Sequence, residues 1–170
     1  MDFRLQAVVS VPPAIREIVD GSAPFLRTYD AFAGLFAGAK KLLKIFVPYV
    51  DPSFTALLAL TQAPVRVLTT AGEGRGSRAS PVLERCTAHK DVTVRYLKER
   101  RDRALLYQVH AKLIISDGGR AYVGTANLTD TSIHYNLELG LLVEDRRSVG
   151  VLERLFDTLY ERAGVKAASL

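Results

Sequence analysis

The chain has 170 residues, 48% of them hydrophobic, enough for one domain with a proper core and too few for a second. Its formal charge of +5 favours an anionic polymer as partner. No segment reaches the roughly 18 consecutive apolar residues of a membrane span. A single cysteine, Cys86, excludes an internal disulfide framework and suits a reducing compartment, so the cytoplasm is the expected location.

Met1 to Ala14 carries an early Asp2 and only a short apolar run, which makes a poor signal peptide. Residues 1–26 hold Pro12-Pro13 and a short amphipathic stretch, Ala14 to Val19; they are set apart as an extension without an assigned role, a dimer arm or a packing element. The domain proper is placed at 27–170. Ala31 to Ala39, flanked by Asp30 and by Lys40-Lys41, reads as a helix packed on a sheet. Leu43 to Tyr49 reads as a strand ending at Pro48, and Asp51-Pro52 as the N-cap and first residue of a helix through about Thr61. Val65 to Thr69 is the next strand. Ala71 to Ser80, rich in Gly, Ser and Arg, reads as a loop, and Ser80-Pro81 opens a helix through about Ala88 in which Cys86 is a small buried residue. Val92 to Leu97 is a third strand. At the far end, Leu152, Leu155, Phe156, Leu159 and Tyr160 keep helical spacing, with Gly164 as the stop. Strand and helix in alternation argue an α/β sandwich.

A basic run precedes the middle of the chain. Arg95, Lys98, Arg100, Arg101 and Arg103, offset by Glu99 and Asp102, leave +3 across residues 95–103, and Arg75 and Arg78 add to the Gly-rich loop. These seven cations are the candidate phosphate-backbone contacts, with Tyr96 and Tyr107 bracketing the run where they can stack on bases or pack in a sheet. His89, in a turn, reads as a surface residue, and His134 as a solvent-facing loop residue. No group of His, Cys, Asp and Glu has metal-ligand spacing, so neither a metal nor another cofactor is expected.

The most informative segment is HAKLIISDGGRAYVGTANLTD, residues 110–130. Val109 to Ile115 has strand composition, so His110 and Lys112 project to one face, roughly 6.5 to 7 Å apart. Asp117-Gly118-Gly119 is a hairpin signal. Pairing of Ser116 with Arg120 sets His110 opposite Ala126 and returns Thr125 and Asn127 to the level of the histidine. A neutral imidazole can attack phosphorus, while the Lys112 ammonium, the Asn127 amide and the Thr125 hydroxyl donate to the non-bridging oxygens. Glu138, on the apolar strand Leu137 to Val143, is positioned to hold the ring tautomer of His110.

His-x-Lys, four residues, Asp, six residues, then Gly-Thr-x-Asn resembles the HKD motif of the phospholipase D superfamily, in particular its small dimeric nuclease-type members. Ser132, Asn136 and Glu138 look like the tail of that motif, and the resemblance covers about Ala31 to Ala163. It implies a phospholipase D-like α/β/α sandwich, a mixed sheet flanked by helices with one motif per chain. It implies His110 as nucleophile, Lys112, Thr125 and Asn127 as phosphate ligands and Glu138 as the support of the histidine. Asp117 completes the catalytic motif, with a structural part at the turn as its expected role.

One motif is half of what the chemistry needs, because a second group must protonate the leaving oxygen. The resemblance therefore implies a homodimer in which His110 of each subunit meets its mate. The reading favoured here is a metal-independent phosphodiesterase acting on nucleic acid, DNA ahead of RNA, through a phosphohistidine and without a membrane anchor. The alternatives are a phospholipase or cardiolipin-type lipid phosphodiesterase, and a non-catalytic nucleic-acid-binding subunit of a larger repair or defence complex with a helicase.

Overall fold

A computed structural model describes residues 4–20, 24–70, 79–89, 91–101 and 104–164. In chain order the strands are β1 (Leu5–Ser10), β2 (Leu26–Arg27), β3 (Leu43–Phe46), β4 (Val65–Thr69), β5 (Val92–Tyr96), β6 (Lys98–Arg101), β7 (Ala104–Gln108), β8 (Lys112–Ser116), β9 (Arg120–Gly124) and β10 (Glu138–Val143). The helices are α1 (Arg16–Asp20), α2 (Thr28–Gly38), α3 (Pro52–Leu58), α4 (Ala79–His89) and α5 (Arg146–Arg162). Eight strands form one mixed sheet in the order β2-β1-β10-β9-β8-β3-β4-β5, and β6 and β7 form a separate ribbon.

The sheet is an apolar septum between two helical layers, as the α/β sandwich reading requires. On one face Ile45, Val65, Val67, Ile114, Tyr122 and Leu142 pack with Phe32, Leu35 and Phe36 of α2, Phe54 and Leu57 of α3 and Leu83 and Cys86 of α4. On the other, Phe46, Leu68, Leu113, Ile115 and Ala121 meet Val149, Phe156 and Tyr160 of α5. All four residues of β3 are buried, as expected of a central strand covered on both faces. The exception in its composition is Lys44, 6% exposed, whose ammonium lies 2.8 Å from each of the Glu153 and Asp157 carboxylates of α5.

The predicted helix start at Asp51-Pro52 is present, with the Asp51 carboxylate accepting from Ser53 N at 2.8 Å, although α3 ends at Leu58, short of Thr61. The amino-terminal segment acquires a role that its sequence did not disclose: β1 pairs along its whole length with β10, from Leu5 opposite Val143 to Ser10 opposite Glu138. The segment is thereby part of the main sheet. Its residues carry no clean period-2 alternation, so only long-range pairing reveals the strand.

The direction of each strand decides where function can sit. β3, β4 and β5 run parallel, β8 antiparallel to β3, and β1 antiparallel to β10. The ends of β1, β3, β4, β5 and β9 and the starts of β8 and β10 therefore share one edge. That is the carboxyl edge of the parallel strands, where open α/β sheets bind their ligands.

Candidate active site

Registers across four strands place Val8, Gly140, Gly124 and Lys112 side by side in one row near that edge. His110 lies just before β8, exposed, with Nε2 3.3 Å from the Lys112 ammonium. An ammonium can only donate, so Nε2 accepts and carries the lone pair that a nucleophile needs. The predicted hairpin register holds, with Ser116 opposite Arg120 and Lys112 opposite Gly124. Thr125 and Asn127 are returned to the edge occupied by His110 and Lys112.

Beyond Gly124, β9 and β10 stay joined by a bond from Thr125 N to Leu139 O at 3.0 Å. The Thr125 hydroxyl donates to Glu138 Oε2, and Asn136 Nδ2 donates to Glu138 Oε1 at 3.1 Å. Glu138 is 8% exposed, and its carboxylate is satisfied by these two donors. It thus anchors Thr125, and the contact expected between Glu138 and the imidazole is replaced by one to the hydroxyl. Partial burial lowers the Lys112 pKa from its ordinary value, with the Glu138 charge acting in the opposite sense. Asn127 is half-buried, and its Oδ1 has no hydrogen-bond partner among the described residues, so that end of the amide is not committed to the fold.

Two residues whose part here sequence reasoning missed hold this edge in shape. Tyr122, 1% exposed, lays its ring over the cross-strand pair Gly124 and Gly140, where a Cβ on either glycine would collide with it. Its hydroxyl accepts from Ala126 N at 3.2 Å, between Thr125 and Asn127. Burial, with the Glu138 charge adding to it, pushes the phenol up to about 12, so it stays protonated. The available signal was the two glycines, each placed where a strand ordinarily carries a side chain. Asp51 ties the following loop: besides capping α3, its other oxygen accepts from Asp130 N at 2.7 Å, and Asp51 N donates to Leu128 O at 3.3 Å.

Asp117 belongs elsewhere, which corrects its inclusion among the catalytic candidates. It sits in the β8–β9 turn, roughly 17 Å along the strand from Lys112, in the left-handed region at φ 53°. Its carboxylate accepts from the backbone of Lys40, Lys41 and Leu42 at 2.8 to 2.9 Å, which pins the start of β3. Burial pushes this carboxyl up, but those three donors and the Lys41 charge outweigh it and hold the pKa below its ordinary value.

Of the basic residues, Arg75, Arg78 and Arg103 lie outside the described residues. Lys98, Arg100 and Arg101 fall on β6, and the ribbon formed with β7 ends just before His110. Arg95 is part-buried: its guanidinium donates to Tyr160 O at 2.7 Å and lies 4.4 Å from the Tyr160 ring centroid, so it helps to seat α5. Cys86 is buried at 5% exposure, and burial raises its thiol pKa, consistent with a packing residue. Among the described residues no group of three or more His, Cys, Asp or Glu can hold a metal ion, and no helix is long and apolar enough to cross a membrane.

Comparison with known proteins agrees with this geometry. A family model described as cardiolipin synthase, phospholipase D-like domain, matches residues 33–160. No curated protein sequence matches. Among solved structures, NucT from Helicobacter pylori superposes with a TM-score of 0.69 at 14% identity, covering 95% of this chain and 99% of its own. Nuc from Salmonella typhimurium, a phospholipase D family member, gives 0.68 at 14% identity over 98% and 100%. Phosphatidylserine synthase of Haemophilus influenzae gives 0.67 at 14% identity, over 96% of this chain but 40% of its own. With His110, Lys112, Thr125 and Asn127 drawn to one sheet edge and the family model spanning most of the sequence, this chain belongs to the phospholipase D superfamily, a superfamily of phosphodiesterases.

Proposed function

We propose that the protein is a metal-independent nuclease whose active site is completed by a second copy of the chain. The observation that carries this is the pairing of His110 Nε2 with the Lys112 ammonium at 3.3 Å, on the edge to which the hairpin also returns Asn127 and a Glu138-anchored Thr125. Nε2 attacks phosphorus and forms a P–N bond as the P–O ester bond breaks. The leaving oxygen takes its proton from the imidazolium of the partner subunit's His110. That ring, now neutral, accepts a proton from water as the water oxygen attacks phosphorus and the P–N bond breaks. Lys112 and the Asn127 amide nitrogen stabilise the charge on the non-bridging oxygens, while Thr125, whose one hydroxyl proton goes to Glu138, steadies the segment that carries Asn127.

Two features support the second copy. The chain carries one HKD motif and matches the full length of NucT and Nuc, whereas it spans 40% of the synthase chain. Next to the site, the part of the α5-side face over β9 and β10 is left uncovered by helix among the described residues: Val123 and Leu141 face each other across β9 and β10 at 38% and 45% exposure, and Leu139, which bonds to Thr125, is 59% exposed. A contiguous apolar patch at the rim of a half-built site suits a two-fold partner. Nucleic acid is favoured by the net charge of +5 and by the basic β6–β7 ribbon leading into His110. A lipid phosphodiester is the second reading, favoured by the description of the family model and the likeness to the synthase.

The decisive experiment incubates wild type and His110→Ala with labelled DNA, RNA and cardiolipin vesicles in EDTA. Nucleic-acid cleavage by wild type alone is the expected result, with an acid-labile phosphoprotein trapped on quenching. Cleavage of lipid alone moves the assignment to the second reading.

A further inference from the structure

Beside the catalytic edge lies a cavity of about 260 Å³ that the chemistry above does not use. It opens where the end of β1, the start of α2 and a single π-helical turn, Thr131–Tyr135, come together. The volume is far beyond the roughly 30 Å³ share of one water molecule. Arg16, Arg27, Ser10, Thr28, Tyr29 and His134 line it. Ser10 and Thr28 are 2% and 1% exposed, and neither hydroxyl oxygen has a hydrogen-bond partner among the described residues. Two buried, unpartnered hydroxyls on the wall of one cavity are not explained by the fold, since native interiors pair such groups or drop them.

The rest of the wall specifies the missing partner as an anion. The 11-residue α2 begins at Thr28, and its N-cap Arg27 supplies no side-chain cap, which leaves the positive end of the helix turned to the cavity. Arg16 and Arg27 supply two guanidinium groups, the second held 5.1 Å from the Phe25 ring centroid. Asp30 also lines the cavity and offsets one of these charges. At the rim, the rings of Tyr29 and His134 lie 6.1 Å apart and those of His134 and Tyr135 6.4 Å, with Tyr29 and Tyr135 46% and 59% exposed. Exposed aromatic rings beside an anion site suit a nucleotide, with the base on the rings and the phosphate within.

The cavity also stands in register with the chemistry. Ser10 is paired with Glu138, and β1 is separated from β8 by β10 and β9, three strand spacings or roughly 14 Å. We infer that this cavity binds a flanking phosphate of a polynucleotide, beyond the nearest neighbour of the scissile one, and so sets where along the strand the cut falls. This rests on the nuclease reading given above.

The test uses the full-length His110→Ala protein, which binds without turnover, and a short fluorescein-labelled oligodeoxynucleotide followed by anisotropy across a KCl titration. Adding Arg16→Gln is expected to weaken binding about fivefold to tenfold and to flatten the log–log salt slope by about 0.7. Thr28→Val is expected to weaken binding about twofold to threefold while the melting temperature holds or rises, because the hydroxyl it removes has no partner among the described residues. Unchanged affinity and slope in Arg16→Gln would overturn the inference and leave the nuclease reading standing. So would a Thr28→Val protein that loses stability and keeps its affinity. A parent protein that ignores the oligonucleotide, whether or not it binds cardiolipin vesicles, overturns both.

Discussion

The two edges of the main sheet differ in how their polar groups are treated. At the edge that carries the β8–β9 turn, carboxylates are consumed by the fold: Asp117 accepts three backbone donors, and Asp145 caps α5 through Ser148 N at 2.8 Å. At the opposite edge, Ser10, Thr28, Thr70 and Asn127 each hold a buried oxygen with no partner among the described residues. One edge closes the structure and the other keeps its hydrogen-bonding capacity in reserve. Unspent capacity costs stability, so its concentration beside His110 and Lys112 marks the edge at which a ligand completes the structure.

Substitutions at the two edges should therefore separate activity from stability. His110→Ala is the extreme case: it removes the nucleophile and is expected to lower kcat by about 10⁴-fold or more, with a melting temperature close to wild type because the ring is exposed. A stable protein retaining more than a tenth of wild-type turnover would place the chemistry elsewhere. Next in size, Leu139→Asp combined with Leu141→Asp charges the bare sheet face. Light scattering should then report a monomer and turnover should fall about 100-fold; an active monomer would end the shared-site reading.

Tyr122→Phe sharpens the contrast from within. It strands the Ala126 N–H, which is expected to cost about 1–2 kcal/mol of stability and to lower kcat about tenfold by loosening Thr125 and Asn127. Chemical denaturation and steady-state kinetics measure the two effects, and a kcat equal to wild type would reduce Tyr122 to packing. Asp117→Asn is the smallest in activity, with kcat expected within about twofold of wild type. Its signature lies in pH. A carboxyl held below its ordinary value contributes stability that is fully present above pH 3.8 and is lost as the pH falls through the lower folded value. The variant should flatten that acid limb in denaturation measured at successive pH values, and an unaltered limb would show that the three backbone bonds carry no linkage.

How much of this was legible beforehand depended on whether the cause was local. Hairpin geometry follows from Asp117-Gly118 and from strand composition on either side, so the register that brings Asn127 back toward His110 could be read from one segment. The helix start at Asp51 was equally local, a cap and a proline in succession. By contrast, β1 exists because β10 is there to pair with it, and Leu5 to Ser10 carry no alternation of their own. Glu138 could be singled out from its place after the hairpin, but which group it holds depends on where Thr125 and Asn136 arrive around it.

The sequence by itself determined which groups come together: a histidine, a lysine, a hydroxyl and an amide at spacings that a single hairpin folds to one edge, because turn formation and strand period act over a few residues. Tertiary structure alone decided which groups remain available. The Tyr122 ring fills the space over Gly124 and Gly140, Asp117 is spent on the α2–β3 connection, and Ser10 and Thr28 meet at one cavity from elements that only the sheet brings together. Availability of a polar group depends on every neighbour that could satisfy it, and those neighbours are assembled from distant parts of the chain.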